Sequence, residues 1–520
     1  MRRRWLTSAV GLAALALYLA WSWAGGHLGF PLDDAWIHQT YARNLVAHGQ
    51  WAFVPDQPSA GSTAPLWTLL LAVGYGLGLP FRLWTYTLGG LCLAGTALLA
   101  ARLSGRLFPE RRSLPPLVGL ACALEWHLVW AAGSGMETLL FAMLVLAVWD
   151  RAVAQPVGRP FLTGLLGGAL ILTRPEGILV VGLVAGAWLW MDVEVWLRSR
   201  RSGRATTEGR PYAVGVALLV AGTGLVVAPY LVLNLHLSGT LWPNTFYAKQ
   251  AEYGALLAQP LIVRLRRVGT APLVGAQALL VPGLVWGMWQ AARRGVLNLR
   301  GQWVTWWLPP VWVAATVGVY AVRLPVTYQH GRYLTPVIPV LLVYGVGGFL
   351  RLRSQSPKHK AQRRILGFGI WDLGFKVWAL SVAVLFLAFL LLGARAYSTD
   401  VATIEGEMVA VARWLHVHTE PDTLVAVHDI GAMGYFAQRP LLDLAGLVSP
   451  EVIPFIRDEA RLLAWLQERD ADYLVTFPSW YPALTADPRL EEIYRTEAAV
   501  TVAQGGENMV VYALRWDRGR

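Results

Sequence analysis

The stretch RRRWLTSAVGLAALALYLAWSWAGGHLGFPLDDAW, residues 2–36, decides how the rest of the chain is read. It opens on Arg2-Arg3-Arg4, continues for about twenty mostly apolar residues from Trp5 to Ala24, and ends on the adjacent acids Asp33 and Asp34. A basic start before an apolar run of that length predicts a membrane helix whose first residues stay in the cytoplasm. The carboxylates then emerge on the far side, close to the lipid headgroups. Two acids side by side at a membrane edge carry desolvation and mutual repulsion, which favours catalysis or cation binding over a helix cap or loop solvation. The segment lacks a clean small-x-small cleavage site, so a retained anchor is expected rather than a removed signal peptide.

Composition agrees. The 520 residues are 55% hydrophobic and 15% charged, with a mean hydropathy of +0.45, values that predict a polytopic α-helical membrane protein. The 26 Trp fit interfacial positions. The net charge of +12 comes from short basic clusters between apolar runs, the pattern of cytoplasmic loops, and implies no nucleic-acid partner. Cys92 and Cys122 each lie inside an apolar run, with no metal spacing and no disulfide pattern.

Apolar runs at 5–24, 84–104, 115–132, 135–150, 160–174, 176–196, 211–237, 272–290, 303–322, 331–350 and 376–396 are candidate spans, and 64–79 is shorter and glycine-broken. Half of the 44 Lys and Arg fall at Arg2–Arg4, Arg102–Arg112, Arg151/Arg159, Arg198–Arg204, Arg293–Arg300 and Arg351–Arg364. Placing all six clusters in the cytoplasm requires two crossings between neighbours. That is met if 64–79 is re-entrant or interfacial, leaving about eleven transmembrane helices. The polar motifs then share the outer face: Asp33-Asp34, Ser134-Gly135-Met136-Glu137, Thr173-Arg174-Pro175-Glu176-Gly177, Pro243 to Lys249, and Tyr328 to Tyr333.

Composition changes after Leu392. Leu424–Val427 and Tyr473–Phe477 read as strands, with apolar residues at helical spacing between Arg457 and Asp470. The expectation is a transmembrane module over 1–396, whose first external loop with interfacial helices spans 25–83, and an extracytoplasmic α/β domain over 397–520. Ser354–Lys360 reads as a polar linker.

An outward-facing carboxylate pair has three chemical uses. One acid can take a proton from an attacking hydroxyl; the pair can hold a divalent cation beside a phosphate leaving group; or it can bind protons or sodium in a transporter or lipid flippase. Transport would place ionisable groups near the bilayer midplane, where Glu125 and His127 are the main exceptions to a sparse set.

The run Asp33-Asp34-Ala35-Trp36-Ile37, with Tyr41-Ala42-Arg43-Asn44-Leu45, Gly49 and Ser62 to Leu70, resembles the first external loop of GT-C glycosyltransferases, in particular the bacterial arabinofuranosyltransferase-like group. Gly135-Met136-Glu137-Thr138, Thr173 to Gly177, Pro243 to Lys249, Arg332-Tyr333-Leu334 and Asp443 to Val448 extend the resemblance along the chain. Ser59-Ala60-Gly61 departs from the more polar lead usual in that group and leaves the sugar open. The resemblance implies a GT-C-like multi-span enzyme of the plasma membrane taking a sugar from a polyprenyl-phosphate donor to an extracytoplasmic glycan, lipid or protein acceptor. It implies that the acidic pair of the first external loop is essential.

Carried onto this chain, one of Asp33 and Asp34 is the base, and the other orients it or helps hold a cation (Mg2+, Mn2+ or Ca2+). Arg174 and Arg332, with Lys249 and His330 in reserve, stabilise the phosphate, arginine being favoured for its planar fork of donors. Glu137, Glu176, Asn244, Tyr247, Tyr333 and Trp67 are candidate substrate contacts. Each has a structural alternative. Arg174 before Pro175 also suits a span terminus, and Glu137 suits the cap of a helix starting at Ser134. Glu176 suits neutralisation of Arg174, His330 and Arg332 suit interface anchoring, and Asn244, Tyr247 and Lys249 suit a turn after Trp242-Pro243. His428-Asp429 ends a strand without the Gly-x-Ser-x-Gly element a hydrolase would bring.

Overall fold

The computed structural model describes residues 2–154, 158–202, 211–297, 303–355 and 370–516. Arg204, Arg300, Lys358, Lys360, Arg363 and Arg364, and most of the 354–360 linker, lie outside the described residues. The helices that position the site are α1 (Arg2–Ala24), α2 (Asp34–His48), α3 (Pro65–Gly76), α4 (Phe81–Leu107), α5 (Leu114–Leu124), α6 (Trp126–Gly133), α7 (Thr138–Ala154), α8 (Pro160–Thr173), α9 (Gly177–Ser202), α10 (Pro211–Ser238) and α11 (Asn244–Glu252). After these come α12 (Leu261–Thr270), α13 (Val281–Leu297), α14 (Trp303–Arg323), α15 (Ile338–Gln355), α16 (Ile370–Ile404), α17 (Ala410–His418) and α18 (Glu459–Glu468).

Each of the candidate spans is largely helical. Among the described residues, six helices are long and apolar enough to cross a bilayer, or up to eight if two bent pairs each count as one span. The expected eleven also include α7, α8 and α14, of 17, 14 and 21 residues, the last carrying Pro309 and Pro310. At 1.5 Å per residue, the 12-residue α3 is about 18 Å long, well short of a ~30 Å hydrocarbon core. The chain is a multi-pass membrane protein of largely helical build.

Glu125 and His127, the charges inside a candidate span, sit where α5 and α6 meet at 53°. Glu125 accepts from the Leu128 N–H, the His127 ring and Gln277 Nε2, at 2.9, 2.7 and 2.9 Å. They cap a kink, satisfying the backbone groups freed there. Ser134 likewise closes α6 instead of opening the next helix, which starts at Thr138. The expected cap role of Glu137 for a helix beginning at Ser134 is therefore replaced.

Two ends of the bundle differ in chemistry. Arg102 and Arg106 hold Asp150 at 3.1 and 3.0 Å, and Arg351 meets Glu110. Asp34, Arg174, Arg332 and Glu137 gather at the other end of the same helices; Thr138 and Asp150 are twelve residues apart along α7, or about 18 Å.

Beyond that second end lies a five-stranded sheet in the order β4-β3-β5-β7-β6. β3 (Val425–Val427), β4 (Leu441–Asp443) and β5 (Tyr473–Thr476) are parallel, and β6 (Leu490–Arg495) and β7 (Val510–Leu514) complete it antiparallel. A separate two-stranded ribbon, β1 (Ala52–Val54) with β2 (Gln57–Pro58), follows α2. Side chains alternate between the faces of the large sheet. Val425, Val427, Val475 and Val511 join the core continuous with the helical bundle, whereas Ala426, Leu474, Val510 and Tyr512 face a second core built on Leu462, Trp465 and Leu466 of α18. The helix α16 runs unbroken through residues 396 and 397. A π-helical turn, Glu405–Val409, then leads into α17. Glu407 in that turn is fully buried and accepts from the Met509 N–H at 2.8 Å and from Asn508 Nδ2 at 2.8 Å, fixing the sheet to the helical rod.

Candidate active site

The acidic pair is split. Asp33 precedes α2 and Asp34 is its first residue; at 3.6 residues per turn, neighbours point about 100° apart. The Asp33 carboxylate turns to the carboxy-terminal region that carries the sheet and accepts from the backbone N–H groups of Gly431 and Ala432 at 2.6 and 2.8 Å. It is 8% exposed. Burial, with Asp429 next, pushes its carboxyl well above the ordinary range despite those bonds. Arg43 on the same helix donates to the carbonyls of Tyr435 and Gly434 at 2.7 and 3.1 Å, a second tie across this seam. A Cβ added at Gly431 would collide with the Asp33 carbonyl, so the approach requires glycine.

Asp33→Ala is thus expected to leave two buried N–H groups unpaired, at about 1–3 kcal/mol each. Gly431→Ala is expected to open the same seam by collision. Both should appear as a lower unfolding temperature and as new protease cuts around 428–440; unchanged digestion in both variants would contradict the latch.

Asp34 faces a cavity instead. Its Oδ2 accepts from Arg332 Nη2 and lies 3.4 Å from Lys249 Nζ. Burial alone would raise this carboxyl, but Lys249 and Arg332 hold it well below the usual carboxylate range. Lys249 is in turn raised by Asp34 against its own burial, and also reaches the Tyr333 hydroxyl at 3.2 Å. Arg332 is 6% exposed, and its Nε and Nη1 have no hydrogen-bond partner among the described residues. A buried guanidinium with two unused donors is costly and offers a ready seat for an anion.

A second ionic group lies alongside. Arg174 Nε donates to Glu137 Oε1 at 2.6 Å, its Nη2 reaches Thr138 Oγ1 at 3.1 Å, and its Nη1 has no hydrogen-bond partner among the described residues. His38, one helical turn after Asp34 and on the same face, is 3.4 Å from Glu137. Burial would raise Glu137, but Arg174 and then His38 keep it well below the usual range. Glu176 accepts from Tyr320 and stands 3.8 Å from Arg174. Gly135 makes the preceding turn at φ +76°, where a Cβ would press on Phe30 and Ala35.

These groups line a first cavity of about 370 Å3, otherwise mainly apolar. Its walls include Ile178 at the start of α9, Phe246 of α11 and Val319 of α14, all substantially exposed, so it opens sideways onto apolar surface. A second cavity, of about 580 Å3, lies between the bundle and the sheet. Asp34, Ile37, Lys249, Arg332, Tyr333 and Leu447 border both. Asp34 therefore stands on the wall between an apolar chamber and a polar one.

The other expected residues are placed differently. Trp67 is 1% exposed and donates to the Gly135 carbonyl at 2.8 Å, which makes it a packing residue and removes it from the substrate contacts. His330, at φ +58°, bonds Asp400 at 2.8 Å between Trp126 and Trp130 and borders neither cavity. Tyr247 packs edge-on against Phe246 on the surface, and Asn244 is buried at the start of α11; neither lines either of these two cavities. Sequence reasoning did not pick out His38, Tyr320 or Glu252. The i, i+4 spacing of Asp34 and His38 was available as a signal; Tyr320 and Glu252 carry none without the fold.

The donors for a divalent cation do not assemble. Among the described residues no group of three or more His, Cys, Asp or Glu could hold a metal ion. Asp33 is engaged by two backbone N–H groups, and Asp34 by two cations that would repel a third.

Residues 397–512 match the model of a domain of unknown function, DUF8728. The terminal beta-(1->2)-arabinofuranosyltransferase of Mycobacterium tuberculosis (strain ATCC 25618 / H37Rv) is 28% identical over 407 residues, covering 72% of this chain and 61% of that protein. Hence the match spans less than two thirds of that relative's length. Among solved structures, ArnT from Cupriavidus metallidurans bound to undecaprenyl phosphate superposes with a TM-score of 0.55 at 16% identity, covering 98% of this chain and 97% of that one. The archaeal oligosaccharyltransferase AglB from Archaeoglobus fulgidus, in complex with an inhibitory peptide and a dolichol-phosphate, gives 0.57 at 11% identity, covering 99% and 75%. The fold is shared with ArnT and AglB, and the sequence is similar to that of an arabinofuranosyltransferase.

Proposed function

We propose that the protein is a glycosyltransferase that moves a pentosyl or hexosyl group from a polyprenyl-phosphate donor to an acceptor on the extracytoplasmic side, with Asp34 as the base. The observation that carries this reading is the buried Arg332, with two unused donors, set beside Asp34 on the wall between two cavities. The mainly apolar first cavity suits a prenyl chain, each buried CH2 contributing about 0.8 kcal/mol. Arg332, Lys249 and Arg174 suit the phosphate, and Tyr333, Glu137 and Glu176 the sugar. The solved ArnT complex with undecaprenyl phosphate supports a lipid phosphate of this class for the fold.

In the reaction the acceptor oxygen attacks the anomeric carbon and its proton passes to the Asp34 carboxylate. The bond from that carbon to the phosphate oxygen breaks, and its electron pair leaves with the polyprenyl phosphate, where Arg332 and Lys249 meet the charge. No enzyme nucleophile intervenes, so the configuration inverts. The same two cations hold Asp34 ionised before the donor arrives. As they turn to the phosphate, the proton affinity of Asp34 rises, which makes the carboxylate a base only when the donor is seated.

In this reading residues 1–396 form the membrane module with the amino terminus in the cytoplasm, and residues 397–520 lie outside. The test incubates the full chain in lipid nanodiscs with polyprenyl-phosphate pentoses, hexoses and aminosugars plus candidate glycan, lipid and peptide acceptors, reading products by mass. Transfer of a sugar with release of polyprenyl phosphate is expected; recovery of every donor unchanged across the panel would sink the reading.

A further inference from the structure

The carboxyl ends of all three parallel strands of the outer sheet open into the second cavity. β3 delivers His428 and Asp429, β4 delivers Ala445, and β5 delivers Trp480 and Tyr481. The chain leaves β3 for β4 on one side and then returns to β5 on the other, so its path reverses about β3. In open α/β sheets the crevice outside the carboxyl ends, at such a reversal, is where ligands bind. Here that crevice faces the membrane module and Asp34 rather than solvent.

The groups in it are equipped for a ligand. The Asp429 side chain makes no capping hydrogen bond to the helical turn that follows it and lines the cavity. His428 is held from both sides, its Nδ1 at 2.7 Å from the Tyr481 hydroxyl and its Nε2 at 3.3 Å from Glu252 on α11. Trp480, packed edge-on against His428, is 41% exposed. Carboxylate oxygens accept from hydroxyls, and an exposed indole face beside them suits the apolar face of a sugar ring. At the strand ends stand Asp429 and Glu252, the latter engaged by His428 and Arg457, while Lys249 and Arg332 line the side shared with Asp34.

Resting on the glycosyl-transfer reading for its direction, we infer that the carboxyl edge of the outer-domain sheet is a binding site for a neutral, hydroxyl-rich glycan acceptor. Trp480 stacks on a ring, and Asp429 accepts from a hydroxyl next to the one delivered to Asp34. The outer domain thereby supplies half of the acceptor site, and the Asp33 latch holds that half in register.

The Asp429 carboxyl is pushed up to about 6, by burial first and then by Asp34, Glu252 and Asp443, against the lowering effect of His428; Asp33 is the acid across the latch. A protonated carboxyl accepts more weakly, so glycan affinity should fall as pH drops through about 6.

The experiment measures binding of arabinohexaose, xylohexaose and maltohexaose to the full chain in nanodiscs by saturation-transfer NMR, with undecaprenyl phosphate binding measured alongside. At least one hexasaccharide is expected to bind. Trp480→Ala should weaken it about tenfold, and Asp429→Asn should weaken it and flatten its decline below pH 6. Both should leave undecaprenyl phosphate affinity within about twofold, which also reports that they are folded. Hexasaccharide binding unaffected by either variant would overturn the proposal. So would sugar transfer proceeding to lipid or peptide acceptors with no hexasaccharide bound, an outcome that leaves the transferase reading standing. Site-dependent glycan binding without any transfer would uphold this site and remove the transferase reading instead.

Discussion

Asp34→Asn is expected to lower kcat for sugar transfer by about 10²–10⁴, the range a positioned proton acceptor supplies. The amide keeps the shape of the carboxylate but cannot take the proton of the incoming hydroxyl. The same change should not weaken donor binding. Arg332 and Lys249 lose the carboxylate that occupies them in the free protein, so the lipid phosphate meets less competition and binds at least as tightly. Loss of kcat with donor affinity retained separates a base from a structural residue, which would lose both. Asp33→Asn, by contrast, acts at the latch; it should lower stability more than it lowers the rate of the protein that remains folded. Equal rate losses at the two positions, or full activity in Asp34→Asn, would show that the base lies elsewhere.

Arg332→Ala is expected to reduce kcat by about 10²–10³, the effect of removing one preorganised donor from developing negative charge, or ~3–4 kcal/mol. Donor affinity should fall with it, because the unused Nε and Nη1 donors are removed. Arg332→Lys should recover only part of the loss, since an ammonium cannot present the planar fork. The variant also has a pH signature. Asp34 is depressed by Lys249 and Arg332, so its ionised form is present well below pH 4 in the intact protein. Without Arg332 its carboxyl rises towards the ordinary ~4, and the residual rate should acquire an acid limb that moves upward. A residual rate whose acid limb stays where it was would argue that Arg332 does not touch Asp34 in the working enzyme.

Much of the architecture was legible because a bilayer constrains sequence so strongly. Residues 5–24 could be little other than a membrane helix, and the other candidate spans are largely helical. The strands at 424–427 and 473–477, with the helix between them, were equally readable from periodicity. The limits came where packing decides. The run 115–132 is two helices at 53°, a bend set by Glu125 capping α6, which hydropathy does not register. Nor does apolar content separate α8, at 14 residues, from a full crossing.

The site divides in the same way. The residue types carried the chemistry: two acids after the first span, and arginines at Arg174 and Arg332 on the same face, all of which except Asp33 border the first cavity. Sequence alone could not separate Asp33 from Asp34, since adjacent acids look identical until a helix start turns them apart and one finds the N–H groups of Gly431 and Ala432, 398 and 399 residues away. It could not distinguish the buried Trp67 or the Asp400-bound His330 from cavity residues, because a type and a face do not specify a direction. What the sequence determined by itself was a membrane-spanning chain with its polar chemistry gathered at one end, because burial in lipid must be written into composition. Which carboxylate faces the cavities, and that the carboxy-terminal sheet turns its strand ends towards it, only the tertiary structure decided, because those contacts join segments hundreds of residues apart.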